Sequence, residues 1–507
     1  MSDLDPATLE VIRNKLSHIA EEMQGLVMNT AYSPLWHEAG DLSSSILSPD
    51  AEIVGQSERV IPVHVASMRN TVAACIEQTG GYDALEPGDM FIQNDPYAGT
   101  THLPNVTLAR PVFAEDTLLG FAAVQGHWVD IGGAATASYH LVPDTEIIEE
   151  GLRIPSAKLY RAGERNDAVV DILMANTRDT EERRGDLDAQ LAGVRRGCER
   201  FRELVGKYDA ETVSMAIETI LANDEARMRD TIAELPNGTY EARDFIEPGD
   251  LGDELLPIEL SVTIDGSDIV ADFEGTADQV SGGINSSWSS TEASAHYGFK
   301  LALDPGGPGT LGSYRPIEIR APEGSILNPT APAPVVAQHS AGTRAFDVVV
   351  KALAEVDPAL VFGAGEGSSN ILSYESLADG SFNYSVYAGG MGACPARDGL
   401  DGRRSGRGNT GVQPVERVET AYDWVTIDEY GIVPDSGGAG RNRGGAATTR
   451  LVRFADPTRL TIATDRTRTR PFGVAGGDAG ASAAVETIPP EGESQPLPAK
   501  GIREVSA

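Results

Sequence analysis

Lysine is almost missing from this 507-residue chain. Six Lys stand beside 34 Arg, and together they face 76 Asp and Glu, for a formal net charge of −36. A polyanion repels phosphate backbones and anionic headgroups, which argues against nucleic acid and membrane surfaces as partners. Cysteine is equally scarce: Cys75, Cys198 and Cys394 lie far apart with no C-x-x-C spacing. That leaves neither a disulfide framework nor a structural zinc knuckle, and reads as small buried hydrophobes. No run of about 18 apolar residues occurs. The opening MSDLDPATLE is acidic where a signal peptide is basic and then apolar, so the expectation is a soluble cytoplasmic protein. Also missing are a G-x-x-x-x-G-K-[ST] phosphate loop, a G-x-S-x-G elbow and a Cys–His nucleophile pair, which weakens nucleotide-binding and acyl-enzyme readings.

What is present is enough apolar residue, 41%, for a large interior. Asp5 and Pro6 open a pattern with Ile12, Leu16, Ile19, Met23 and Leu26 at helical spacing, a long amphipathic helix. A hairpin over 43–47 and 52–55 follows, then a helix from about Val65 to Gln78. Met90 to Gln93, Val106 to Phe113 and Leu118 to Gln125 read as three strands of an antiparallel meander. A helical block over about 179–235 breaks near Gly206 to Asp209. Period-2 strands in IELSVTI and DIVADF come next, then a Gly- and Arg-rich texture and a Pro-containing tail from Ile488. The fold class expected is α+β, a large mixed multilayer body with antiparallel sheets and long amphipathic helices. Its expected regions are 1–235, 236–383 and 384–507.

In a meander the first and third strands run the same way, so the loops leaving them emerge at one sheet end. The loop NDPYAGTTHLPN holds Asp95 and His102; GHWVDIGG holds His127 and Asp130. Turn geometry asks for Gly, Pro and Asn but not for imidazole. A metal wants neutral imidazoles and carboxylates converging from separate segments. Spacing alone leaves turn scaffolding as the commoner role for each residue, and Asp41, just before the hairpin, is by default a turn acid. The meander makes the site reading an even match.

The segments VIPVHVASM, NDPYAGTTHLPNVTL, GHWVDIGG, TEIIEEGLRIP, NTRDTEERRGDLDAQLAG, SYRPIEIRAPEGSILNP, NTGVQPVERVE and PDSGGAGRNRGG accumulate, in this order, into a pattern that resembles the hydantoinase B/oxoprolinase family over nearly the whole chain. That family includes the B-type component of ATP-dependent N-methylhydantoinase and is related to acetone and acetophenone carboxylase subunits. The resemblance implies a hetero-oligomer with a hydantoinase A-type ATP-binding subunit, which fits the missing phosphate loop. It points to Asp41, His102, His127 and Asp130 as ligands of a divalent metal (Mn, Zn or Fe), with catalytic roles for Asp95 and His64. The chain departs from many relatives at Trp128, where they carry a histidine.

The function expected is ATP-dependent opening of a hydantoin or 5-oxoproline ring. The alternatives are a subunit of an ATP-dependent ketone carboxylase and a noncatalytic scaffold for the ATPase partner, and a scaffold would hold no stoichiometric metal. The charge imbalance suits a halophilic, acidic proteome, in which salt screens self-repulsion, although a GC-rich genome also favours Arg over Lys. Melting temperature followed from dilute buffer into molar KCl tests this: salt adaptation predicts a steep rise, and equal stability across the series contradicts it.

Overall fold

A computed structural model describes residues 4–404, 408, 413–489 and 492–506, the Val65 side chain aside. Residues 409–412 of the NTGVQPVERVE motif lie outside them. The first helix runs over Pro6–Thr30, with the Asp5 carboxylate accepting the Thr8 N–H as its cap. Strands β1 (Leu42–Leu47), β2 (Ile53–Gln56), β3 (Met90–Gln93), β4 (Asn105–Ala114) and β5 (Thr117–His127) follow. With Ala157–Arg161 and Glu164–Arg165 they form a seven-stranded sheet in the order β2-β1-β5-β4-β3, then those two. The expected meander is present: β3, β4 and β5 pair antiparallel in sequence order. β5 then takes β1 on its other edge.

Period-2 alternation sorts the two faces of this sheet. Val106, Leu108, Ala122 and Val124 pack with Leu16, Met23 and Val27 of the first helix and with Leu187, Leu191 and Val194 of the helix Thr180–Tyr208. Ala109, Phe121 and Ala123 face the other way, against Met68, Val72 and Cys75 of the helix Pro62–Gln78. The helical block breaks where expected, at Asp209, whose φ of 60° ends one helix while its side chain caps Ala210–Ala233.

A second, four-stranded sheet uses Gly238–Ile246, Leu256–Asp265, Asp268–Asp272 and Ile317–Arg320, covered by the helices Trp288–Leu303 and His339–Val356. A third sheet, ordered Phe382–Val386, Ile371–Ser376, Thr458–Ala463, Lys500–Val505, includes a strand in the segment read as a tail. Lys500 explains the docking: its buried ammonium donates to the Glu247 carbonyl at 2.6 Å and pairs with Asp465 at 2.9 Å. Charged groups join the second and third sheets again where the Arg466 guanidinium meets Asp244 at 2.7 Å and Asp347 at 2.8 Å. Among the described residues no helix is long and apolar enough to cross a membrane.

Gly126 fixes how the site end of the sheet closes. A β-carbon there would stand 2.3 Å from Cζ2 of Trp36, whose indole N–H donates to the His127 carbonyl at 2.7 Å. Gly126→Ala must push the indole away, so we expect a loss of about 1–3 kcal/mol of stability by denaturant unfolding and a loss of whatever affinity the His127 end carries. Unchanged stability would contradict this packing.

Candidate active site

Sheet pairing gathers the site. Leu42 lies opposite Gly126 and Asn105 opposite His127, so the residue before β1, the start of β4 and the end of β5 share one sheet end. Backbone bonds tie the ends together: His127 N–H donates to the Asp41 carbonyl at 3.1 Å, and Trp128 N–H to the Pro104 carbonyl at 2.8 Å. The first turn of the helix Pro62–Gln78 adds His64. The start of His339–Val356 adds His339, and the strand Phe382–Val386 adds Tyr384. Together they line a cavity of about 300 Å³ with Asn105, Tyr139, Gln338 and Arg404.

The imidazoles of His102 and His127 face each other, Nε2 to Nδ1, at 3.2 Å. His102 Nδ1 lies 2.8 Å from the Val336 carbonyl. A carbonyl only accepts, so that nitrogen carries the proton, and in the neutral ring Nε2 is left with its lone pair toward His127. Burial, reinforced by the neighbouring His102 and His64 rings, holds His127 well below the usual histidine range. It is neutral at pH 7. His64 sits between the Ser43 hydroxyl, 3.3 Å from Nδ1, and the Asn105 amide nitrogen, 2.9 Å from Nε2, which also lies 4.0 Å from the Asp41 carboxylate. Burial pushes the Asp41 carboxyl up to about 6 against the pull of the Arg404 guanidinium.

The other expected residues are placed differently. Asp130 lines the cavity, but both its oxygens are engaged: Oδ1 accepts the Gly132 and Arg178 N–H groups, each at 3.0 Å, and Oδ2 takes the Arg178 guanidinium at 2.6 Å. The turn Asp130-Ile131-Gly132-Gly133, with φ of 86° and 87° at its glycines, uses the carboxylate as its own brace. Asp95 is not among the residues lining the cavity; it accepts the Tyr97 N–H at 3.0 Å and lies 3.7 Å from Arg153. It is the acid that starts a turn. Trp128 is fully buried and donates its indole N–H to Gln190 at 3.0 Å. Sequence reading missed Asn105, Tyr139, His339 and Tyr384. The Tyr384 hydroxyl donates to that of Tyr139 at 3.3 Å, its ring stacks 6.0 Å from His127, and burial raises both phenols.

Among the described residues no three His, Cys, Asp or Glu side chains stand in a finished metal-ligating arrangement. The donor chemistry nevertheless fits a divalent cation in part. Two nitrogens ligating one cation at about 2.1 Å are roughly 3.0–3.4 Å apart, in octahedral and tetrahedral geometry respectively. His102 and His127 already hold that spacing. Asp41 adds a carboxylate of raised pKa, and Asn105 Oδ1 is buried with no hydrogen-bond partner among the described residues. Asp130, closed by Arg178, does not fit.

A family model for hydantoinase B/oxoprolinase matches residues 5–507. The chain belongs to the hydantoinase B/oxoprolinase family. It is 31% identical to the B-type component of a putative D-/L-hydantoinase from a Pseudomonas strain, over 95% of this chain and 83% of that one. Its fold matches the crystal structure of an ATP-dependent caprolactamase from Pseudomonas jessenii with a TM-score of 0.90 at 26% identity, covering 100% of this chain and 89% of that one. A nucleotide-free acetone carboxylase structure matches in fold, with a TM-score of 0.86 at 18% identity over 94% of this chain and 66% of that one.

The Asp41 shift makes a testable statement about the metal-free protein. A carboxyl raised above its ordinary 3.8 gives stability that is complete below that value and is lost as pH rises through about 6. Full burial would make this roughly 3 kcal/mol, less here because the side chain is 22% exposed. Asp41→Asn should therefore stabilise the metal-free protein by about 1–2 kcal/mol at pH 7 and hardly at all near pH 4, by urea unfolding. Equal effects at the two pH values would contradict the assignment.

Proposed function

We propose that this chain is the metal-dependent, B-type component of an ATP-dependent enzyme that opens cyclic amides of the hydantoin or 5-oxoproline class, acting with a hydantoinase A-type ATP-binding subunit. The observation that carries the reading is the pair of imidazole nitrogens of His102 and His127, 3.2 Å apart in a cavity shared with Asp41. His102, His127 and Asp41 would hold the cation. Once bound, it supplies a Lewis acid that lowers the pKa of a water. ATP is assigned to the partner, since this chain carries no phosphate loop; the relatives named as one component of a hydantoinase or as ATP-dependent support that division.

The remaining steps fall to side chains. His64, its ring held by Ser43, takes a proton from the attacking water at Nε2, which the Asn105 N–H must first vacate, and Asp41 at 4.0 Å stabilises the imidazolium that forms. The water oxygen adds to the ring amide carbon, the ring C–N bond breaks, and a proton is delivered to the nitrogen. The Tyr139 hydroxyl, kept protonated by burial and accepting the Tyr384 O–H, lines the same cavity and donates a hydrogen bond to a substrate oxygen. Asp130 braces its turn, and Asp95 does not act as the base. The acetone carboxylase fold favours a second reading, in which the same centre activates a ketone toward bicarbonate.

Assays with the partner subunit separate these readings. His102→Ala and His127→Ala should each abolish stoichiometric metal by elemental analysis and lower ATP-dependent ring opening by at least about 10³-fold, the scale of losing a centre that activates water. Turnover that needs bicarbonate and a ketone would move the assignment to the carboxylase. Full metal content or full turnover in both variants would overturn the reading.

A further inference from the structure

Glu150 is fully buried and touches none of the cavity, yet it is built into the support of one wall. It closes a single helical turn, Ile147–Glu150, and is followed by Gly151 at a φ of 146°. Its Oε1 accepts the Val336 N–H at 2.7 Å, while its Oε2 is buried with no hydrogen-bond partner among the described residues. The next peptide along, Val336–Ala337, is fixed at both ends: Ala337 N–H donates to the Gly283 carbonyl at 2.6 Å, and the Val336 carbonyl takes His102 Nδ1–H at 2.8 Å. Gly283 leaves no slack, because a β-carbon there would meet Val336 Cγ1 at 2.7 Å and Glu150 Oε1 at 3.2 Å.

A buried acid is costly to keep unless its position does something. This one is spent on a backbone N–H that water could have satisfied at the surface, 186 residues away in the chain. We propose that Glu150 is a positioning residue that sets the tautomer of His102: by clamping Val336 it aims that residue's carbonyl at Nδ1 and leaves Nε2 facing His127. The arrangement is a buried carboxyl, pushed by burial up to about 8, acting on a ring through one backbone residue, a step further out than the usual carboxylate or carbonyl partner of a ligating histidine. Its importance for catalysis rests on the metal reading above; its effect on the ring does not.

The test uses the full-length, metal-free chain labelled with ¹⁵N-histidine, the His102 signals being those lost in His102→Gln. Long-range ¹H–¹⁵N correlations report which ring nitrogen carries the proton. Wild type should show the Nδ1–H form, and so should Glu150→Gln, whose amide oxygen still accepts the Val336 N–H. Glu150→Ala should give a mixture or the Nε2–H form, with His127, whose Nδ1 faces that nitrogen at 3.2 Å, changing with it and the other six histidines unmoved. If Glu150→Ala does not fold, Glu150→Asp, one methylene too short to reach Val336, should give the same change. An unaltered His102 in the folded Ala or Asp variant, or a wild type in the Nε2–H form, would overturn the proposal. Zinc titration of the same samples keeps the two readings apart: a roughly tenfold loss of affinity in the Ala or Asp variant supports both. A wild type that binds no zinc removes the metal reading and leaves the tautomer result standing.

Discussion

The site depends on the pairing of β5 with β1 on one side and β4 on the other. Register across those three strands puts Asp41 before Leu42, His127 after Gly126 and Asn105 opposite His127. A slip of one residue on either side would turn the alternating core residues outward and send the histidines to different faces. The register is held by the apolar sets on both faces, each with its own layer of helix. Site geometry and folding energy here come from the same hydrogen-bonded ladder, and Trp36 against Gly126 joins the two.

Buried polar groups then refine the geometry. His102 is fixed by a carbonyl from Val336, His64 by Ser43 and Asn105, and Asp130 by Arg178. Each is a local solution to the rule that a buried polar atom needs a partner. Among the buried atoms left without a hydrogen-bond partner among the described residues are Asn105 Oδ1, at the cavity, and Glu150 Oε2, behind its wall, and Asp41 is raised by burial. The Asn105 Oδ1 and the Asp41 carboxylate beside the His102 and His127 rings are acceptors that a cation would satisfy.

Much of this was legible in the chain. The helix at Pro6, the meander and the break at Asp209 follow from capping, alternation and turn residues, which act over a few positions. The meander also placed His102 and His127 together, because strand direction alone decides which loops share a sheet end. The settings of Asp130 and Asp95 were not legible for the opposite reason: topology sets the loops in place, but only the local backbone shows that each carboxylate is turned onto its own turn and a neighbouring arginine. His339 and Tyr384 escaped because they reach the centre from segments far along the chain, and Tyr139 because the short turn Thr136–Ser138 before it carries no repeating pattern. The faint signal for His339 was its place at the head of an apolar helix, and for Tyr384 a short alternating strand beside glycines. The strand at Lys500–Val505 was hidden by the prolines before it.

The central claim is that His102 and His127 share one cation, and anomalous diffraction at a metal edge tests it most directly. Crystals of the chain with its partner subunit, grown with manganese or zinc, should show a single anomalous peak about 2.0–2.2 Å from both His102 Nε2 and His127 Nδ1, with the Asp41 carboxylate drawn in as a further ligand. A peak elsewhere, or a metal-saturated crystal in which the two rings remain joined by a direct N–H···N hydrogen bond, would contradict it.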